Sequence, residues 1–315
     1  MIFLPFPIVF VGHTSLDHIK NVNGSRVQPG GAALYAAMGA KTVCKEVGIL
    51  TAIGENYPFM DLFDDFSAVI KKVKGKNTEF LISYDKDWNA TYKSVSIGPG
   101  SKITTKDAIS LIDGNVKVVH LAPMNPPKVK RMVEGIKKAN GDIIISTNAC
   151  INYLGVKANQ RATLEAAALS DIFIINDREL RALTGIEVMS KAIKSVRTKM
   201  LVLTLGEIGT IVSTPAGTEF IPAMAAITKN AVDVTGAGDT WAGSFLAAYF
   251  LTKSWIKSVS FASVVSAVKC TGWNFEKIRN LRFDSVEDAF DLAIALKEKG
   301  RQLTLSDSLR SLKIE

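Results

Sequence analysis

The run AVDVTGAGDTWAGSF, residues 231–245, places small residues and a single carboxylate between two apolar segments. Val232 and Val234 read as the end of a strand. From Trp241 onward Phe245, Leu246, Tyr249 and Phe250 follow at helical spacing. Gly236, Ala237 and Gly238 therefore sit at a strand–helix junction, with Asp239 where the helix begins. The first amides of a helix lack intrahelical partners and carry partial positive charge. Small residues let an anion approach them closely. The arrangement reads as an anion hole with a carboxylate beside it, which is the equipment of phosphoryl transfer: donors for the moving group and a base for the attacking hydroxyl. Capping and turn chemistry account for Asp239 alone. They do not account for three small residues around it.

Working outward, strand-like apolar runs alternate with helical patterns. Residues 8–12, 46–54, 116–123, 142–146, 171–176 and 199–206 read as buried strands. Residues 30–42, 61–73, 127–140, 261–272 and 285–300 read as helices. The alternation predicts an α/β fold with a mostly parallel sheet between helical layers. Two stretches break the pattern. Residues 78–98 are rich in Thr, Ser, Tyr and Ile without helical period, and residues 13–29 are similarly irregular. Both predict short strands that build a lid over one sheet edge. No linker interrupts the chain, so residues 1–315 read as one domain.

Composition narrows the classes. The 315 residues are 47% hydrophobic and 22% charged, with a net charge of +8. The basic residues are scattered, and the densest run (Lys71, Lys72, Lys74, Lys76) reads as a solvated helix end, so nucleic acid is not an expected partner. Cys44, Cys150 and Cys270 form no CxxC pair, which fits reduced thiols in a cytoplasm. The apolar start lacks a basic flank, contains Pro5 and Pro7, and is too short to span a bilayer. A dehydrogenase needs GxGxxG after its first strand and a P-loop kinase needs GxxxxGK[ST]. Neither occurs here.

VDVTGAGDTWAGSF resembles the C-terminal signature of the ribokinase-like sugar kinases, the PfkB carbohydrate kinase family. Asp233, Gly236, Ala237, Gly238 and Asp239 match its D-x-x-G-A-G-D run. Other segments follow in family order: Asp17, the Gly30-Gly31 pair, Asn176 and Glu179 of an N-x-x-E motif, Thr204 and Gly206 with Gly209 of a T-L-G-x-x-G turn, and Ala262, Ala267, Thr271 and Gly272 of a late helix. The resemblance implies a ribokinase-like three-layer sandwich with a mostly parallel central sheet and a small β lid. It implies ATP and Mg²⁺, with Asp239 as base and Gly236–Gly238 as anion hole. Asp17, Gly30 and Gly31 would hold substrate. Asn176 and Glu179 would organise Mg²⁺ through water, and Thr204, Gly206, Gly209, Ala267 and Gly272 would line the ATP site. It extends to a monovalent cation near Asp233 and a homodimer through the lid strands.

The pattern also departs from the family. Tyr35 stands at or beside a position usually held by a substrate-binding Asn, and Ala32 replaces a basic residue found in some members. Tyr84, Trp88 and Tyr92 in the lid segment suit a nucleobase, and Ala32 suits an acceptor without its own phosphate. The favoured reading is a nucleoside kinase acting on the ribose 5′-hydroxyl. The alternatives are a kinase of ribose, ketodeoxygluconate, fructose or inositol and, in another class, a non-catalytic nucleotide- or sugar-binding protein, against which the intact Asp239 argues.

Overall fold

In a computed structural model, residues 7–112, 115–223 and 231–289 are described. The chain runs through β1 (Ile8–Val11), β2 (Ser15–Asn21), β3 (Gly24–Gly30), α1 (Ala32–Lys41), β4 (Val47–Ile53), β5 (Ser67–Lys72), β6 (Thr78–Tyr84) and β7 (Ala90–Ser96). It continues through α2 (Thr105–Ile109), β8 (Val118–Leu121), α3 (Pro126–Ala139), β9 (Ile144–Asn148), α4 (Lys157–Leu169), β10 (Ile172–Asn176), α5 (Asp177–Thr184) and α6 (Met189–Ser195). The last described elements are β11 (Met200–Thr204), β12 (Gly209–Thr214), β13 (Gly217–Pro222), α7 (Ala237–Thr252) and α8 (Trp255–Cys270).

Nine strands form one sheet in the order β13-β12-β11-β10-β9-β8-β1-β4-β5. Seven of them, from β11 to β5, pair in parallel, and β12 pairs antiparallel with both β11 and β13. The side-chain alternation of the buried strands divides the core. Ile8 and Phe10 face a layer built from α1, α7 and α8. Val9 and Val11 face α3 and the segment around α2. Phe173, Ile175, Leu201 and Leu203 of β10 and β11 continue that second face against α4, α5 and α6. The result is a three-layer α/β sandwich. After β1 the chain adds strands on one side, then returns to add β8 to β11 on the other. The sheet therefore has a topological switch point at β1, where the carboxyl ends of neighbouring strands open a crevice.

The irregular segments supply a second sheet in the order β3-β2-β6-β7. Its outer pairs are antiparallel and its central pair, β2 with β6, is parallel. The strands expected in residues 13–29 and 78–98 are present.

Three expectations are corrected. Residues 61–73 are not a helix. Met60–Asp65 form a 3₁₀ turn and Ser67–Lys72 form the edge strand β5, paired in parallel with β4. Accordingly Lys71 lies on a strand, where its ammonium meets the Asp107 carboxylate at 2.9 Å. Val232 and Val234 are not in a strand. The segment is held instead by the Val232 amide donating to the Cys270 carbonyl at 2.7 Å. Of the helix expected over 285–300, residues 290 onward lie outside the described residues. No helix among the described residues is long and apolar enough to cross a membrane.

From Thr240 to Ala248 helix α7 is buried on every side, which explains its small-residue content. A Cβ at Gly243 would lie 1.8 Å from the Ala36 carbonyl oxygen, and one at Gly39 would lie 2.3 Å from that of Thr240. The α1–α7 crossing thus depends on glycine from both helices. Away from that crossing, Trp241, Phe245 and Tyr249 of α7 stack in series with centroids 5.2 and 5.9 Å apart. Gly243→Val is expected to force the helices apart and lower stability by about 1–3 kcal/mol or more. The check is a lower urea midpoint at unchanged m-value. An unshifted midpoint would contradict this packing.

Candidate active site

The carboxyl ends of the parallel strands open into a cleft of about 570 Å³. His13 follows β1 and Pro123 follows β8. Asn148, Asn176 and Thr204 close β9, β10 and β11, and all five line the cleft. The mouth of α7 forms another wall through Gly236, Ala237, Gly238 and Asp239. The small sheet contributes Asp17, Phe80, Ile82, Tyr84 and Tyr92.

At the mouth of α7, Gly236 has φ +71°, a left-handed conformation that favours glycine. Its α-carbon also lies so close to Tyr35 that a Cβ would sit 2.3 Å from that ring. The Ala237 amide is taken by the Val234 carbonyl at 3.1 Å, and the Thr240 amide by Gly236 at 2.8 Å. The Gly238 and Asp239 amides have no such partner among the described residues. Space beside Gly238 is open. The Gly238 and Asp239 amides are therefore free to receive an anion, whereas the Ala237 amide is not. Asp239 borders them, and burial raises its carboxyl pKa to about 7.

Asp17 is only 3% exposed and accepts a hydrogen bond from Ser15 Oγ at 2.6 Å. Burial raises its pKa to about 7, the Ser15 bond opposes the rise, and the carboxylates of Asp233 and Asp239 add to it. Gly30 backs Asp17: a Cβ there would fall 1.9 Å from Asp17 Oδ2. Gly31 has φ +101° and precedes α1 with its α-carbon against the His13 carbonyl. The glycine pair is thus what lets β3 and α1 close around the acidic side chain.

Asn176 and Glu179 line the cleft and also cap α5. The Glu179 amide donates to Asn176 Oδ1 at 2.8 Å, and the Asn176 amide donates to Glu179 Oε2 at 3.1 Å. Burial raises Glu179 to about 7, with the Asn176 amide working against the rise and Asp239 adding to it. No group of three or more His, Cys, Asp or Glu is gathered to hold a metal among the described residues.

The other sequence-derived residues fall differently. Tyr35 borders the cleft but is buried, and its hydroxyl accepts from Asn274 Nδ2 at 3.0 Å and Gln28 Nε2 at 3.3 Å. It props Gly236 from behind. Thr204 lines the cleft, whereas Gly206, Gly209, Ala267 and Gly272 do not. Gly206 (φ +58°) and Gly209 (φ +144°) shape the turn between β11 and β12. Ala267 lies in α8 beside Ser266, whose hydroxyl donates to the Ala237 carbonyl at 2.9 Å. Trp88 sits at the β6–β7 turn against Tyr84, with centroids 6.1 Å apart, and outside the cleft.

Several residues were missed. Cys150 and Asn152 line the cleft, as do His13 and Asn148, whose Nδ1 and Oδ1 are buried without a partner among the described residues. His13 and Asn148 were recoverable from their place at strand ends. Asp233 is fully buried and accepts from the Thr235 amide at 2.9 Å, Gln28 Nε2 at 3.0 Å and the Asn274 amide at 3.2 Å. Burial alone would raise its pKa, but Lys269, Gln28 and Thr235 outweigh that and hold it below the usual range. Lys269, a lone cation in the run VVSAVKC, is completely buried beside it.

Known proteins share the sequence pattern and the fold. The model of the pfkB family carbohydrate kinases matches residues 97–273. A cytidine kinase of Thermococcus kodakarensis is 28% identical over 253 residues, covering 77% of this chain and 88% of the relative. A ribokinase from Giardia lamblia superposes with a TM-score of 0.76 at 18% identity, covering 91% of this chain and 99% of the other. A Burkholderia thailandensis nucleoside kinase in complex with inosine gives 0.75 at 19%, covering 91% and 98%.

Proposed function

The chain belongs to the pfkB family of carbohydrate kinases, phosphotransferases with hydroxyl acceptors, and we propose that it moves the γ-phosphoryl group of ATP to the 5′-hydroxyl of a nucleoside. One observation carries the acceptor: Phe80, Tyr84 and Tyr92 of the small sheet line the same cleft as Asp17 and the mouth of α7. A nucleobase on those faces gains about 1–3 kcal/mol by stacking. Asp17 then grips the ribose hydroxyls with charge-assisted bonds. The similarity to a cytidine kinase and the fold shared with an inosine-bound nucleoside kinase support this reading.

The roles follow from position. The Gly238 and Asp239 amides receive the oxygens of the transferring group, and Asp239 takes the hydroxyl proton. A carboxyl group with a pKa near the working pH suits that exchange. Mg²⁺ would neutralise phosphate charge when bound. One carboxylate and one amide, Glu179 and Asn176, fit a metal held through water and substrate phosphates better than a protein cage. The chain acts as one unit in which the small sheet is a lid that excludes water. Val22, Val27 and Leu81 on that sheet are exposed, which supports its use in a homodimer.

The test is a panel of cytidine, uridine, adenosine, inosine, ribose, fructose, ketodeoxygluconate and inositol with Mg-ATP, scored by phosphorylated product. A nucleoside 5′-phosphate formed with the highest kcat/KM is the expected result. Preference for a free sugar or polyol would overturn the acceptor, and no product from any would overturn the kinase reading.

A pH dependence arises from the same site. Asp239 must be ionised to accept a proton, and its raised pKa of about 7 leaves it largely protonated in acid. Turnover is expected to rise with pH through about 7 and then level off. A profile flat from pH 5.5 to 8, a window about that pKa, would contradict the assignment.

A further inference from the structure

Lys269 lies in the last turn of α8 with its side chain wholly inside the protein. Its ammonium donates to the Asp233 carbonyl at 2.7 Å and pairs with Asp233 Oδ2 at 3.3 Å. It also lies 5.6 Å from the centre of the Tyr35 ring, the ring on which Gly236 rests. One buried cation thus touches the start of the loop that ends at Asp239 and the residue that props its middle. Removing an ammonium from water is costly unless its donors are used, so this geometry is held against a substantial desolvation penalty.

The family resemblance places a monovalent metal ion near Asp233, and the surroundings of Asp233 do not fit one. Such an ion needs oxygen ligands. The Asp233 carbonyl is taken by Lys269, and the carboxylate faces N–H donors from Thr235, Gln28 and Asn274 as well as the ammonium. Those donors repel a second cation.

We infer that Lys269 is the resident cation of the anion-hole loop, a covalently supplied ammonium that fixes Asp233 and makes the protein independent of monovalent metal ions. Lys269 is a positioning residue. It touches neither acceptor nor phosphoryl group, but sets where the Gly238 and Asp239 amides stand. Its rate readout rests on the kinase reading above, and its stability readout does not.

The experiment compares potassium, ammonium and tetramethylammonium chlorides at constant ionic strength, in wild type, Lys269→Met and Lys269→Ala. Wild-type kcat and Tm are expected to stay the same in all three salts, within about twofold for kcat. Lys269→Met is expected to lose about 10²-fold in kcat with acceptor KM changed little, since misplacement by about 1 Å has that order of cost. Lys269→Ala leaves room for an ion. Its kcat and Tm should both recover in part with potassium or ammonium, and not with tetramethylammonium.

A wild-type Tm or kcat that rises clearly with potassium over tetramethylammonium would overturn the inference, and so would a folded Lys269→Met with undiminished kcat. If neither variant folds, the wild-type comparison decides. If wild type phosphorylates nothing, the kinase reading fails separately and the wild-type Tm comparison still decides this one.

Discussion

Asp239→Asn is expected to lower kcat by about 10²–10⁴-fold, the usual worth of a positioned general base. ATP affinity should change only slightly, because the Gly238 and Asp239 amides that receive phosphate belong to the backbone. The amide side chain is nearly isosteric, so the loss isolates proton acceptance from shape. The same variant should melt higher than wild type at pH 8. The reason is the sign of the linkage. A carboxyl raised from 3.8 to about 7 by burial stabilises the fold in acid, and that contribution is lost as pH rises through 7. At pH 8 wild type bears a desolvated charge that Asn does not. Thermal melts and steady-state kinetics on one preparation check both halves. Near-normal turnover would refute the base, and a lower Tm at pH 8 would refute the electrostatics.

Asp17→Ala carries the second large effect. Two charge-assisted hydrogen bonds to sugar hydroxyls, at about 1.5–3 kcal/mol each, correspond to about 10²–10⁴-fold in kcat/KM for the acceptor. The loss should fall on the acceptor and leave the KM for ATP nearly unchanged. Because Asp17 faces inward behind Gly30, deleting its carboxylate leaves a small polar void and an unpaired Ser15 hydroxyl. A modest drop in Tm is therefore expected too. Asp17→Asn serves as the control, since it keeps an acceptor for Ser15 while removing the charge. If both variants retain acceptor kcat/KM within about fivefold, the substrate does not hang on this side chain.

Elements with a strong local signal were legible. The buried strands and the helices opened by Pro126 and Gly31 stand where their patterns placed them. Residues 61–73 were not legible. Phe63, Phe66 and Val69 have helical spacing, but pairing of Ser67–Lys72 with β4 overrides it, and that ladder is a long-range fact. Val232 and Val234 misled for the same reason, since the backbone there is held through Val232 and Asp233 by Cys270 of α8 rather than by a sheet. In the site, Asn176, Thr204 and the residues of the helix mouth were visible because the chemistry limits them, while His13 and Asn148 at other strand ends were missed. Orientation was not. Tyr35 turns its hydroxyl inward because Gln28 and, from 239 residues away, Asn274 offer donors there. Lys269 stayed hidden among apolar neighbours, since its meaning depends on Asp233 arriving from 36 residues away.

The most direct measurement is a structure of the protein with ADP, Mg²⁺, the preferred nucleoside and trifluoroaluminate as mimic of the moving phosphoryl group. The account places the planar fluorides on the Gly238 and Asp239 amides, with the acceptor hydroxyl in hydrogen-bond contact with the Asp239 carboxylate. A mimic bound away from the mouth of α7, or an acceptor hydroxyl held by another base, would contradict it.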